Sequence, residues 1–348
     1  MPALAGNDKG YKWTVLLIAC MGSVMGPLDS TIVSVALPTI SQDLSMDYTA
    51  SVWVPTSYLA VTAALLLSMG RLSDMRGRKS IYVSGFAVFA LGSLLCSLAQ
   101  DGGQLIAFRA LQGVGAAALM ATAPALITDA FPPQERGKAL GINAMSVYIG
   151  LSLGPPLGAF LTEELGWRAI FWVNIPIAAA VVVLAQWKIA GSSALANEGR
   201  FDLAGASSFA VALVAFLIAL TFGESRGWLS AFTLGLLFVA ASLLLAFVVT
   251  EKRLGRRALF QLDLVTRNRL FAAGNLSALL NYTSYFGVSF ILSFYLQRVL
   301  DLDLYATGMI LLSMPAVMSL LSPISGWASD RIGSRTLASA GMHQHHRL

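Results

Sequence analysis

Two ionisable side chains, Asp29 and Arg109, sit inside long apolar runs of this chain. A charge at the middle of a membrane-spanning helix costs about 2.5–3.5 kcal/mol on insertion scales, so such groups usually face a cavity and pair. At 1.5 Å per residue, Asp29 lies about 24 Å along a helix entering near Trp13. Arg109 lies about 8 Å along a helix entering from the other side near Gln104, or about 22 Å from the first side of a ~30 Å core. The two therefore share a level. A carboxylate and a guanidinium at one depth can form a pair that a proton on Asp29 weakens. A cationic or amphipathic small molecule could compete for the same carboxylate, which is exchange chemistry. The plainer alternative is a static pair that only fixes helix packing. No enzyme constellation accompanies them: no Gly-rich loop ends in Lys-Ser or Lys-Thr, so no nucleotide site is expected. A proton gradient is the only energy source these residues call for, and no cofactor or metal is expected. His343, His345 and His346 lie in a polar tail and read as a tail rather than a metal site.

The elements that must position these groups follow from composition. Apolar residues make up 56% of the chain and charged residues only 12%, with a mean hydropathy of +0.71. Soluble domains carry about 25% charged residues, so most of this surface must face lipid. Ten apolar runs are long enough to span, near 13–37, 51–70, 80–99, 104–129, 139–162, 168–188, 202–222, 228–249, 270–297 and 304–327. None shows the strict alternation of a membrane β-strand. The first is too long for a signal peptide. The basic residues decide orientation. With the N-terminus cytoplasmic, inside segments hold Lys9 and Lys12, then Arg71 to Lys79, and so on through Arg331 and Arg335; outside loops hold only Arg168, Arg226 and Arg298. The net charge of +5 is thus a topology signal rather than a nucleic-acid signal. The expected location is a cell membrane, multi-pass, which would be the inner membrane in a Gram-negative cell. Cys20 and Cys96 lie in apolar runs and read as small buried hydrophobes.

An internal repeat organises the spans. Gly70-Arg71-Leu72-Ser73-Asp74-Met75-Arg76-Gly77-Arg78-Lys79 follows the second span, and Gly326-Trp327-Ala328-Ser329-Asp330-Arg331-Ile332-Gly333-Ser334-Arg335 follows the tenth. The tenth span thus reads as the second helix of a second unit, as in transporters built from repeats. The expected domains are a six-helix N-terminal bundle over 1–188, two linker helices over 189–250, and the start of a C-terminal bundle with a polar tail over 251–348. After Arg335 the sequence turns polar where four more spans would complete the second unit.

Four motifs in order resemble the major facilitator superfamily, in its fourteen-span drug:proton antiporter branch, with the chain reading as truncated after its tenth helix. The loop at Gly70, Asp74, Arg76, Gly77, Arg78 and Lys79 is similar to the superfamily signature loop, and Gly326, Asp330, Arg331, Gly333 and Arg335 to its second-half copy. Leu28–Pro38 resembles the branch's first-helix motif, with Ser34 in place of Asn. Arg109–Gly115, through Arg109, Gln112 and Gly113, resembles the motif of helix 4. Gly150–Gly158, with Gly150, Gly154, Pro155 and Gly158, resembles the antiporter motif of helix 5, Ala159 replacing a final glycine. The resemblance implies an all-α integral membrane fold with a six-helix N-terminal bundle, two linker helices and an incomplete second bundle. It also implies secondary active export of drugs or amphipathic molecules against protons, with Asp29 and Arg109 in proton coupling.

The residues add detail. Gly70 and Gly77 allow close approach or positive φ. Asp74 can cap a helix N-terminus in the other half or pair with neighbouring arginines; the loop as a whole reads as a latch between states. The fourfold spacing of Gly150, Gly154 and Gly158 puts them on one face for close helix packing. Trp53, Tyr58, Asn281, Tyr282 and Tyr285 could line a substrate cavity, or belong to ordinary packing and an interfacial belt. The expected partners are a small-molecule substrate, protons and the lipid bilayer, not nucleic acid. The competing readings are transport of a defined metabolite and a non-transporting fragment.

Overall fold

A computed structural model describes residues 9–191, 201–255, 258–260, 262–302, 304–333 and 337. In a bilayer every backbone N–H and C=O must be satisfied within the segment, so long apolar runs become helices. The described residues bear this out, with α1 (Lys9–Asp43), α2 (Tyr48–Arg76), α3 (Arg78–Ser97), α4 (Gly102–Ala130) and α5 (Arg136–Leu165). A short α6 (Ala169–Trp172) continues into α7 (Asn174–Lys188), and α8 (Leu203–Arg226) and α9 (Ala231–Leu254) follow. A short α10 (Asp263–Thr266) precedes α11 (Arg269–Arg298) and α12 (Leu304–Ile332). Among the described residues nine helical segments are long and apolar enough to cross a membrane, α6 and α7 counting as one; α11 is outside this set. Arg335 and the three tail histidines lie outside the described residues.

The expected loop over Gly70–Lys79 is mostly helix. α2 runs through Gly70 to Arg76, and α3 begins at Arg78. Gly77 alone makes the turn, at φ 93° and ψ 130°, a region that L side chains rarely adopt. The repeat keeps this device, since Gly333 has φ 84° just after α12. Gly70, by contrast, has open space where a Cβ would sit, so it serves no close approach. The two glycines therefore respond oppositely to alanine. Gly77→Ala should cost about 1–3 kcal/mol of backbone strain, and Gly70→Ala should stabilise by up to about 1 kcal/mol. Thermal unfolding of the two variants in one detergent checks this; equal shifts would contradict the geometry.

Helices α1 to α7 form the first bundle, with two apolar clusters stacked along its axis. One holds Met25, Tyr58, Phe89, Ala116 and Ala178, nearer the N-terminal face. The other holds Leu28, Val54, Cys96, Leu105 and Phe171, nearer the opposite face. Both cysteines are free and buried. Large side chains such as Leu17, Phe160 and Phe238 stay exposed on outer faces, as expected where lipid is the solvent.

The hairpin α8–α9 lies against the outside of α2 rather than between units. Ala206, Phe247 and Leu259 cluster there with Leu67. Glu251, 2% exposed, accepts the backbone N–H groups of Leu259 and Phe260 at 3.2 and 2.8 Å, pinning the segment that leaves α9. α12 packs along α5, while α11 touches α12 and α10.

Candidate functional site: a sealed ion pair in the first bundle

Between the two apolar clusters, each of five elements contributes a polar side chain at the same level. On α1 it is Asp29, between Met25 and Leu28 on one side and Ile32 on the other; on α3 it is Ser93, between Phe89 and Cys96. On α4 Arg109 and Gln112 lie between Leu105 and Ala116, and on α7 Asn174 lies between Phe171 and Ala178. Tyr58 of α2 completes the layer. All six are 2% exposed or less or lie wholly inside the bundle.

The geometry is a closed network. Arg109 Nη1 donates to Asp29 Oδ2 at 2.5 Å. Gln112 Nε2 and Asn174 Nδ2 each donate to Asp29 Oδ1 at 2.8 Å. The same two amides reach Ser93 Oγ at 2.7 and 3.2 Å. Arg109 also donates to Gln112 Oε1 at 2.6 Å and to the Val54 carbonyl at 3.3 Å, and its guanidinium lies 4.2 Å from the Tyr58 ring. Such a pair is tolerated at this depth because three N–H donors replace the hydration of the carboxylate. Two buried atoms stay unpartnered, Arg109 Nη2 and Asn174 Oδ1.

Local sequence makes this approach possible. A Cβ on Gly92 would lie 2.7 Å from the Gln112 backbone, and one on Gly113 would lie 2.6 Å from the Tyr58 carbonyl, so glycine lets α3 and α2 close on α4. On the far side of α1, Gly150, Gly154 and Gly158 press against Val24, Thr31 and Ile32, which turns Asp29 toward α4. Pro155 is half-buried beside them. Among the described residues no group of three or more His, Cys, Asp or Glu side chains is placed to hold a metal ion.

Over this architecture the profile described as "Major Facilitator Superfamily" matches residues 19–199, more than half of the chain. The chain belongs to the Major Facilitator Superfamily. Its sequence is 35% identical to the riboflavin transporter RibZ of Clostridioides difficile, over 94% of this chain and 70% of that one. It is 34% identical to the multidrug resistance protein Stp of Mycobacterium tuberculosis, over 94% of this chain and 60% of that one. The chain thus spans about 60–70% of the length of these relatives. The fold is similar to the proton:xylose symporter XylE, with a TM-score of 0.59 at 14% identity, covering 93% of this chain and 70% of that one.

This Major Facilitator protein is a multi-pass membrane transporter by family, and the remaining motif residues find places in it. Asp74 pairs with Arg78 at 3.2 Å, and Arg78 also reaches Asp129 at 2.5 Å and the Ala125 carbonyl at 2.8 Å, tying α2, α3 and α4 together. Lys79 donates to the Gln186 carbonyl in the last turn of α7 and to the Ile189 carbonyl just past its end, both at 2.7 Å. Arg76 is exposed. Capping across units falls to the second copy of the loop instead. Asp330 accepts the backbone N–H groups of Gly137 and Lys138, both at 2.8 Å, at the start of α5. Gly137 and Gly141 of α5 meet Gly326 and the Ser322 backbone of α12 there. Arg331 lies 4.1 Å from the Trp327 ring.

The five cavity candidates part company. Tyr58 is buried under Arg109 and lines no opening. Trp53 stacks on Phe222 of α8 at 6.0 Å, so it faces the hairpin. Asn281 is exposed. Tyr282 is more than half exposed and Tyr285 half-buried, and neither lines the groove between α5 and α12. Asp29 is also not at a cavity wall, being 1% exposed. Two functional candidates escaped the sequence reading, Ser93 and Asn174. Asn174 carried a usable signal, an amide in the apolar run Ile170–Ile177, by the same argument that singles out Asp29. Ser93 carries none.

Proposed function

We propose that this protein exports amphipathic small molecules in exchange for protons, with its N-terminus on the cytoplasmic side. The observation that supports it is a titratable carboxylate held by three N–H donors in mid-bundle, sealed between two apolar clusters. A proton on Asp29 turns one carboxylate oxygen from acceptor to donor and removes the charge facing Arg109. The unpartnered Asn174 Oδ1 can accept the new O–H after rotation of its amide, while Arg109 is left to find another partner. The protonated and ionised layers therefore favour different packings of α1 against α4. α1 also rides on the glycine face of α5, and α5 is clasped by Asp330 of α12, so a shift at Asp29 has a contiguous route to the contact between units. Repeat-built transporters work by rocking one unit against the other, and the α5–α12 contact is the latch in this reading.

Resemblance to Stp favours drugs as substrates; resemblance to RibZ favours a second reading, a defined metabolite carried by the same mechanism. Competition against a panel of both substrate types separates these. For coupling, the chain reconstituted in liposomes with an imposed pH gradient should drive substrate movement, and Asp29→Asn should abolish the gradient dependence. Gradient-driven transport that survives Asp29→Asn would sink the coupling role.

A further inference from the structure

The start of α3 carries positive charge that neither the ion-pair layer nor the α5–α12 contact uses. An open groove of about 400 Å³ runs along the seam between α3 and α7, at the end of the bundle where α1 begins; Arg76, Lys79, Ser80, Ser84, Ala87 and Gln186 help to line it. Three sources of positive charge meet there. Arg76 is exposed, and among the described residues no hydrogen bond or ion pair holds its guanidinium. Lys79 gives two N–H bonds, to the Gln186 and Ile189 carbonyls, and keeps a third N–H. α3 begins directly behind Gly77, which has no side chain, so nothing caps the first N–H groups of a 20-residue helix from that position. Among the described residues no acidic side chain lines the groove. Asp74, the nearest carboxylate in sequence, is spent on Arg78. Uncapped N–H groups beside two cations have the chemistry of an anion site.

The surface that continues from the groove says which anion. Ser80, Ser84, Ala87 and Leu91 follow one another at helical spacing on an exposed face of α3. The hydroxyls come first, near the helix start; Ala87 and Leu91 come later, Leu91 about 20 Å into the span at 1.5 Å per residue. On α7, Val183 is exposed, and Trp187, one residue on from Gln186, is 80% exposed at the depth where indole rings gather at a membrane surface. A free phosphate has no use for an apolar track. A phospholipid has a phosphodiester at one end and acyl chains at the other, in the same order. The groove holds two cations and no carboxylate to receive an ammonium, so it favours a headgroup whose phosphodiester charge is not balanced within the lipid.

We infer that the α3–α7 groove binds a net-anionic phospholipid, its phosphodiester held by Arg76, Lys79 and the start of α3. Basic pockets between spanning helices are suited to such headgroups. The Lys79 ammonium also joins α3 to the end of α7, so an occupied groove braces this end of the first bundle. The site stands apart from the proton-coupling reading and needs no gradient.

The test uses the whole 348-residue chain in phosphatidylcholine vesicles, with brominated phosphatidylglycerol or brominated phosphatidylethanolamine added at equal mole fraction. Bromine quenches tryptophan fluorescence, and the quenching that disappears in Trp187→Phe reports the groove. Phosphatidylglycerol should be favoured about fivefold, the usual worth of one basic residue at an anionic surface. Arg76→Gln should remove most of this preference. Ser80→Glu should abolish it; an acidic residue in the first turn favours the helix start, so that loss is not a loss of folding. Arg226→Gln, at the opposite end of the bundle, should change nothing. Inorganic phosphate added at constant ionic strength should not displace the lipid. Equal quenching by the two lipids would overturn the inference, and a preference undiminished in either groove variant would place the lipid elsewhere and overturn the site. Displacement by inorganic phosphate would assign the groove to a soluble anion and sink the lipid reading.

Discussion

Arg109→Ala should destabilise the first bundle by about 3–5 kcal/mol, the range for stranding one member of a buried ion pair. The carboxylate of Asp29 would keep Gln112 and Asn174 but lose its counter-charge, in a layer whose side chains are buried. Removing both charges is a different experiment. Asp29→Leu combined with Arg109→Met replaces the pair with side chains of similar volume, and buried pairs exchanged this way are often neutral or stabilising. Most of the loss in Arg109→Ala should therefore return in the double variant, while gradient-driven transport should not. Unfolding in detergent, followed for wild type, both single variants and the double variant, gives the coupling energy between the two sites. A double variant as unstable as Arg109→Ala would mean that the layer is held by its amides and not by the ion pair. Transport retained in the double variant would remove the pair from the mechanism.

A second large effect is expected at the contact between α5 and α12. A Cβ on Gly141 would lie 2.5 Å from the Ser322 carbonyl oxygen, and backbone cannot yield as a side-chain tip can. Gly141→Leu should therefore drive the two helices apart, at about 1–3 kcal/mol if the contact is retained and strained. The alternative for the molecule is to give up the contact, which shifts the population away from the clasped state. A cysteine at Ser325, which lines the open groove between α5 and α12, reports which occurs. Its labelling by a thiol reagent should rise several-fold when Gly141→Leu is added. Asp330→Ala should raise it less, because losing a helix cap costs about 1 kcal/mol and leaves the glycine contact intact. Labelling that does not change in Gly141→Leu would show that α12 does not leave α5 to relieve the overlap.

The spans, the ion pair and the repeat were legible in the sequence because each rests on local chemistry. An apolar run in lipid has one way to satisfy its backbone, and two opposite charges at equal depth have strong reason to meet. The placement of Asp29 against Arg109 followed from counting residues along helices. The glycine stripe of α5 was legible as a contact face, though its partner, α1, was not. Two readings needed revision because they concerned direction around an axis rather than position along it, and a third, on Asp74, had its two alternatives decided in favour of pairing with Arg78. Trp53 and Tyr58 are close together on α2, yet one turns to Phe222 on the outside and the other under Arg109 on the inside. Gly70 and Gly77 look alike in the motif, but only Gly77 leaves the helix. The same Asp recurs in both signature segments, and only its second copy, Asp330, caps a helix of the other unit.

What the sequence by itself determined is the class of protein, the number and order of its apolar runs, and the two charges they must accommodate. Composition, charge bias and repeat all act residue by residue, and a bilayer magnifies each of them. What only the tertiary structure decided is which side chains complete the layer around those charges. Ser93 joins it because Gly92 lets α3 approach α4 within backbone contact, and Asn174 because α7 packs on α3 and α1; both depend on rotation and crossing of whole helices. The meeting of Asp330 with the first turn of α5 is of the same kind, set by packing between elements more than a hundred residues apart in the chain.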